Sequence, residues 1–304
     1  MWRTVIVNQG EKITVFNDNI RIVGNGDESL VPIGDIYAVV IDNRAALISV
    51  NALALLAEYG AHVFFCDSKH TPVGVTLPLN THFKPLAVIK RQLAVTQEEK
   101  DILWQHIVRA KIFNQARCLQ FAGVGGDKVS KLLLFAENVV LGDEKGMEAA
   151  AARKYFSFLF GPCFMRRSDD VTNAALNYGY AILRSSVAKT LAAYGYNCTL
   201  GLHHCSESNA FNLADDIMEP FRPMVDLWVD ANCDNLFDSL NKFNRKGLIN
   251  LLNEGIFIAG KVMRLRNAID VCVNSLTGAL QRHEPNTLRL PELMRCGTQA
   301  DEDL

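Results

Sequence analysis

The sequence has 304 residues, of which 49% are hydrophobic and 21% charged, and its formal net charge is −2. Its length and hydrophobic share predict a globular protein of two domains, and the charge argues against a generally cationic nucleic-acid coat. No uninterrupted apolar run reaches the roughly 18 residues of a membrane span, and the N-terminus lacks a leader pattern, so we expect a cytoplasmic protein. The eight scattered cysteines form no CxxC pair and predict reduced, mostly buried thiols.

Residues 1–78 alternate short β-rich runs with turn residues, which predicts a small β-sheet domain. The segment Asn17-Asp18-Asn19 is typical of a tight hairpin turn between two of these runs. Residues 49–59 carry leucine and alanine at helical density before Gly60, which predicts one helix. The predicted strands cover residues 5–7, 12–15, 20–23, 38–41, 62–65 and 73–75.

Residues 79–94 break the strand pattern and form the predicted linker. Beyond them, apolar residues recur at spacings of three and four, which predicts a helical domain over 95–284 and an irregular tail over 285–304. The expected fold class is therefore α+β, with a small N-terminal β-sheet domain carrying one helix and a larger all-helical C-terminal domain. The predicted amphipathic segments include 129–140, 146–160, 172–194, 211–230, 237–254 and 256–280.

Basic residues are distributed unevenly along the chain. Residues 1–78 hold five Lys/Arg and eight Asp/Glu, whereas residues 79–304 hold 26 and 25. Any DNA-binding surface must then be a local patch on the larger, helical part.

Polar residues inside apolar helices are candidates for chemistry, because burying them costs free energy unless they bind something. Glu148 begins an alanine-rich helix, where a carboxylate that only favours the helix dipole is the alternative. His203 and His204 lie in a predicted loop. Further along, Asp216 and Glu219 stand three apart, where a solvated acidic face is the alternative. Together a histidine and carboxylates would suit Mg²⁺ or Mn²⁺.

In these segments the sequence resembles the CRISPR-associated adaptation integrase family, also described as CRISPR-associated endonucleases, especially members from systems with a single RNA-guided effector nuclease (type II). The match spans residues 1–280. It rests on EAAAARKYFSFLFG from Glu148, RRSDDVTNAALNYGYAILRS from Arg166, GLHH from Gly201 and FNLADDIMEPFRP from Phe211, together with VPIGDIYAVVIDN and FFCDSKHTPVG in the N-terminal part.

The resemblance implies a catalytic site in which Glu148, His204 and Glu219 hold Mg²⁺ or Mn²⁺, with Asp216 and His203 as auxiliary residues. It also implies a reaction in which the 3′-hydroxyl ends of a short DNA fragment attack phosphodiester bonds of a CRISPR repeat. The implied partners are prespacer and leader-repeat DNA, a second copy of the chain and a small second subunit. Other adaptation proteins and the effector nuclease are further candidates. The β-rich N-terminal part, with few basic residues, is the expected dimer surface.

DNA must be held through its phosphates, which is work for cationic and polar side chains. For each candidate, helix-surface charge or a core tyrosine is the alternative interpretation. The candidates are Arg153, Arg166, Arg167, Arg184, Arg222, Lys242, Arg245 and Lys246, with Tyr155, Tyr178 and Tyr180 able to pack on sugar or base.

Two other functions fit parts of the pattern. The same ion site would serve a plain metal-dependent nuclease or phosphodiesterase that uses water as the nucleophile. A structural DNA-binding module with zinc at His203, His204 and Cys205 is disfavoured, because three consecutive residues do not easily converge on one ion.

Overall fold

The computed structural model describes residues 3–24, 26–68, 72–76, 84–237 and 239–295. The chain divides into two compact units, an N-terminal unit (Met1–Thr81) and a helical unit (His82–Leu304). Within the described ranges, no helix combines the length and apolar character needed to span a membrane.

In its described residues, the N-terminal unit contains two four-stranded sheets and the predicted helix. One sheet has the order β1-β5-β7-β8, with β1, β5 and β7 parallel and β8 antiparallel to β7; the other has the order β4-β3-β2-β6. The described elements are β1 (Arg3–Val7), β2 (Lys12–Phe16), β3 (Asn19–Gly24), β4 (Asp27–Pro32), β5 (Ile36–Ile41), β6 (Leu47–Ile48), α1 (Val50–Glu58), β7 (His62–Cys66) and β8 (Pro72–Val75).

Local sequence explains the turns and the core of this unit. Asn17 and Asp18 both have positive φ (46° and 57°), as the predicted hairpin turn requires. The Ser49 hydroxyl accepts a hydrogen bond from the backbone amide of Ala52 and so caps α1. Alternate residues of the strands, such as Ile13 and Val39, pack with the apolar side of α1 into one core.

The helical unit is built around α3, a 25-residue helix that begins with a capping box between Thr96 and Glu99. Its described elements are α2 (Pro85–Ala94), α3 (Gln97–Phe121), α4 (Gly126–Glu137), α5 (Met147–Leu159), α6 (Val171–Ala193), α7 (Asn212–Met218), α8 (Arg222–Ala231), α9 (Lys242–Asn250), β9 (Gly255–Ile258), β10 (Lys261–Arg264) and α10 (Leu265–Arg282).

The structure corrects several predicted boundaries in this unit. The predicted linker contains α2, and its residues 79–83 lie outside the described residues. A β-hairpin of β9 and β10 precedes α10, so the unit is not all-helical and residues 256–264 are not part of a helix. The segment predicted as one helix over 211–230 is α7 and α8, separated by the 3-10 turn Glu219–Phe221, because Pro220 cannot continue the α-helical hydrogen bonds.

The tail and the cysteines also differ from expectation. Residues 285–287 form a 3-10 turn, and the backbone of Glu292 pairs with that of Phe257. The tail that was predicted to be irregular is therefore anchored at least as far as Glu292. Residues 296–304 lie outside the described residues. Of the seven described thiols, three are buried, Cys198 is half-buried and three are exposed. The exposed ones lie outside the α-helices and strands: Cys163, Cys205 and Cys233.

Candidate functional site

Two carboxylates that are distant in sequence converge on one buried ammonium group. Lys111 on α3 places its Nζ 2.6 Å from Glu148 Oε1 and 2.5 Å from Glu219 Oε2. The side chains of Lys111 and Glu219 are only 8% and 4% exposed, whereas that of Glu148 is 27% exposed. The first turn of α5 and the 3-10 turn before α8 therefore meet over α3, with the Glu148 side open to solvent.

Glu219 is held ionised in this buried position. Its Oε1 accepts a hydrogen bond of 2.7 Å from the Arg222 guanidinium. Burial alone would raise the pKa of Glu219, but the positive charges of Arg222 and Lys111 outweigh it and lower the pKa to about 2. Its other oxygen, Oε2, is buried and lies against the Lys111 ammonium.

Glu148 is positioned by a residue that the sequence analysis missed. Asp143 precedes α5, and its carboxylate accepts hydrogen bonds from the backbone amides of Met147 (2.8 Å) and Glu148 (3.0 Å). These are first-turn amides that lack partners within the helix, so Asp143 fixes the start of α5. The sequence signal for this role is an aspartate shortly before Gly146. Gly146 has a positive φ of 62° and lies directly before the first residue of α5.

His204 is oriented by Asp216. The Asp216 carboxylate is fully buried and accepts from the amides of Leu202 (2.6 Å), His203 (3.1 Å) and His204 (3.1 Å), and it lies 2.7 Å from His204 Nδ1. With Nδ1 engaged, Nε2 is the ring atom left to bind a ligand. The hydrogen bond with Asp216 and the nearby charge of Glu219 raise the pKa of His204, although burial acts in the opposite direction.

Gly201 is required for this loop to close over Asp216. A Cβ atom at this position would lie 2.2 Å from the carbonyl oxygen of His204 and 2.9 Å from Asp216 Oδ2. Since the first of these atoms belongs to the backbone, any larger residue would displace the loop.

His203 occupies a different place from His204. Its ring stacks on Trp104 of α3, with centroids 4.2 Å apart and an interplanar angle of 2°, and it stands at 87° to the His204 ring. The stacking holds the loop against α3. The zinc arrangement of His203, His204 and Cys205 is not formed in the described residues.

The three expected ion ligands, Glu148, His204 and Glu219, are arranged around buried groups of the protein. Within the described ranges, no three His, Cys, Asp or Glu side chains form a group that could hold an ion as they stand. Two of the three expected ligands nevertheless converge on a cation, the Lys111 ammonium, and the third is fixed beside Glu219. Two carboxylates and one imidazole are also suitable donors for Mn²⁺ or Mg²⁺, so the chemistry of the residues fits such an ion.

A second buried network adjoins Arg222. Its guanidinium lies 4.1 Å from the centroid of the Tyr180 ring, and Tyr180 and Tyr155 both donate hydrogen bonds to Asp226. Burial raises the pKa of Asp226 to about 6, against the opposing effects of the Tyr180 hydrogen bond and the Arg222 charge. Asp226 was not among the residues predicted from the sequence.

Burial separates the predicted DNA contacts into groups. Tyr155 and Tyr178 are at most 1% exposed, and Tyr180 is 7% exposed, so these tyrosines are core residues and are not available to pack on DNA in this conformation. Four basic side chains are half-buried against protein groups: Arg166 with Asn173 and Asn177, Arg184 over Phe211, Arg222 with Glu219, and Arg245 with the Leu240 carbonyl. The exposed ones are Arg153, Arg167, Lys242 and Lys246.

Comparison with known proteins identifies a family and a relative that this chain resembles. The family model described as "CRISPR associated protein Cas1" matches residues 4–255. A relative named CRISPR-associated endonuclease Cas1, from Neisseria meningitidis serogroup C (strain 8013), is 39% identical over 296 residues, which is 96% of this chain and 97% of that protein.

Two solved structures share the fold. A casposase bound to integration product matches with a TM-score of 0.74 at 20% identity, over 92% of this chain and 91% of that one. A Cas6-RT-Cas1–Cas2 complex matches with a TM-score of 0.74 at 18% identity, over 97% of this chain and 36% of that one.

Proposed function

Since this chain belongs to the Cas1 family, we propose that it is a metal-dependent DNA integrase that joins the 3′-hydroxyl ends of short DNA fragments to a CRISPR repeat by transesterification. The name of the Neisseria relative and the integration product bound to the casposase support a reaction at DNA phosphodiester bonds. The exchange of one phosphodiester for another needs no ATP, which agrees with the lack of a GxxxxGK[ST] motif in the sequence.

The observation that carries the proposal is the convergence of Glu148 and Glu219 on one cation, with His204 oriented by Asp216 beside Glu219. In the proposal, Glu148, His204 and Glu219 hold Mg²⁺ or Mn²⁺. Such an ion would polarise the scissile phosphate, activate the attacking hydroxyl and neutralise charge on the leaving oxygen.

The surrounding residues prepare the three ligands. Arg222 keeps Glu219 ionised, because its guanidinium supplies the charge that offsets burial. Asp216 engages His204 Nδ1 and leaves Nε2 for the ion, as carboxylates commonly do for metal-bound histidines. Asp143 fixes the helix start that presents Glu148.

DNA binding is assigned to the exposed basic residues of the helical unit. Arg153, Arg167, Lys242 and Lys246 are free to reach phosphates, a contact that positions DNA without reading its sequence. We further propose that two copies of the chain pair through the N-terminal unit and assemble with a small Cas2-type subunit; the matched Cas6-RT-Cas1–Cas2 complex supports such an assembly.

The test is a joining assay with linear fragments that carry free 3′-hydroxyls and a supercoiled plasmid that contains the repeat. Glu148→Gln and His204→Ala are each expected to lower joining by at least about 100-fold, because a weakened ion site no longer stabilises the transition state. DNA binding and the melting temperature should remain close to those of the wild type.

The matched control is Glu207→Gln, which removes an exposed carboxylate from the same loop as His204 and should join normally. Joining that survives in both site variants would overturn the site assignment. Cutting of the plasmid without joined products would instead favour the nuclease alternative.

A further inference from the structure

Lys111 is a buried lysine on the apolar side of α3, where a charged side chain requires a reason. Its neighbours on that side, Ile107 and Ile112, are fully buried. Its ammonium makes ion pairs with both glutamates, at 2.6 and 2.5 Å. It therefore engages the same two carboxylates that the proposed function assigns to a divalent ion.

From this geometry we propose that Lys111 competes with the divalent ion for the carboxylates of Glu148 and Glu219. The proposal rests on the proposed function, because it concerns the same ion site. In it, the ammonium withdraws from the carboxylate pair when the ion binds, and its presence lowers the affinity of the site for the ion.

Arg222 is a second cation at Glu219. Glu219 already has a counter-charge, since Arg222 donates a 2.7 Å hydrogen bond to Oε1. Lys111 instead faces the other oxygen, Oε2, which is buried. The ammonium meets this oxygen at 2.5 Å as one partner of an ion pair, and another cation can take the place of that partner.

Charge explains why the two cations exclude each other. An ammonium and a divalent ion that share two carboxylate oxygens repel each other at close range, and partial burial weakens the screening of this repulsion by water. The Lys111 side chain is unbranched and flexible, and Glu148 is the more exposed partner, so the opening toward Glu148 provides a path for withdrawal.

The experiment measures Mn²⁺ binding directly, by calorimetry and by the electron paramagnetic resonance of free Mn²⁺, on the full chain without DNA. Lys111→Met removes the charge and keeps most of the side-chain volume. It is expected to bind Mn²⁺ at least about tenfold more tightly than the wild type, because the competing cation is gone. Lys111→Arg keeps the charge and should bind no more tightly than the wild type.

The matched control is Lys131→Met, which removes the same charge from an exposed position on α4 and should leave Mn²⁺ affinity unchanged. Equal or weaker Mn²⁺ binding by folded Lys111→Met would overturn the competition. If Lys111→Met and Lys111→Gln fold only when Mn²⁺ is added, the ion replaces the ammonium and the proposal stands. If Mn²⁺ does not restore their fold, the proposal fails.

The same titrations separate this inference from the proposed function. Wild-type binding that Glu148→Gln abolishes supports the ion site, and the Lys111 variants then decide the competition alone. If neither the wild type nor Lys111→Met binds Mn²⁺, both the ion site and the competition are wrong.

Discussion

Replacing Asp216 with asparagine changes one buried oxygen into an amide group and keeps the size of the side chain. In the wild type, Oδ2 accepts from the amides of Leu202 and His203, and Oδ1 accepts from the amide of His204 and contacts its Nδ1. In either orientation the asparagine NH2 group must face at least one of these backbone amides, and it has no lone pair to offer it. At least one hydrogen bond from a backbone amide is therefore lost in a place that water does not reach.

The magnitude follows from the burial of Asp216, which is 0% exposed. A hydrogen bond to a charged group contributes about 1.5–3 kcal/mol, and a buried donor left without a partner costs a similar amount. We expect Asp216→Asn to lower the free energy of unfolding of the helical unit by about 3–5 kcal/mol. For a unit of this size, that is a fall in melting temperature on the order of 10 °C.

The assay is urea unfolding followed by circular dichroism and by tryptophan fluorescence, because Trp104 stacks on His203 and reports on the loop. The control is Asp215→Asn, in which the neighbouring carboxylate loses its charge. Asp215 accepts a single described side-chain hydrogen bond, from Asn209, which asparagine can still accept, so the expected loss is below about 1 kcal/mol. Equal losses for the two variants would refute the reasoning.

Two further outcomes follow from the structure. Gly201→Ala should lower the free energy of unfolding by about 2–4 kcal/mol, because its Cβ would meet the His204 carbonyl at 2.2 Å. The control is Gly126→Ala, whose Cβ meets no atom within 4 Å and which should be neutral or slightly stabilising in the same urea titration. A tolerated Gly201→Ala would show that the loop can shift. Burial raises the pKa of Asp226 to about 6 from 3.8, so its protonated form stabilises the fold fully below pH 3.8 and that contribution is lost as the pH rises through 6. The unfolding free energy of Asp226→Asn minus that of the wild type should thus rise by about 2–3 kcal/mol between pH 4 and pH 8. A difference that stays constant over this pH range would contradict a raised pKa for Asp226.

The elements that could be predicted from sequence are those with a strong local pattern. The hairpin turn at Asn17 and Asp18 needs residues that tolerate positive φ, and α6 has a long apolar period, so both are visible in the sequence. β4 was missed because half of DESLVP is polar and its apolar residues do not alternate with polar ones. The hairpin of β9 and β10 was missed because its short apolar run, Gly255–Ile258, also fits the helical period that continues into α10.

The candidate site divides in the same way. Glu148, His204 and Glu219 were named from ordered motifs, and their role as ligands stays a prediction. Lys111 and Asp143 were missed because their importance arises only when distant segments meet. One signal for Lys111 was present, since a lysine four residues after Ile107 falls on the buried side of an amphipathic helix.

The geometry of the site depends on one face of α3. Trp104, Lys111 and Asn114 are separated by seven and three residues, which places them along one side of a helix with 3.6 residues per turn. Trp104 holds the histidine loop and Lys111 joins the two glutamates.

Asn114 then fixes the turn that carries Glu219. Its amide donates to the carbonyl of Pro220 at 2.7 Å, while its oxygen accepts from the amide of Leu293 at 2.9 Å. Asn114 is fully buried, so these bonds form where water cannot replace them. The position of Glu219 is thus set by the packing of α3 against the C-terminal segment, and a change in that packing moves the carboxylate.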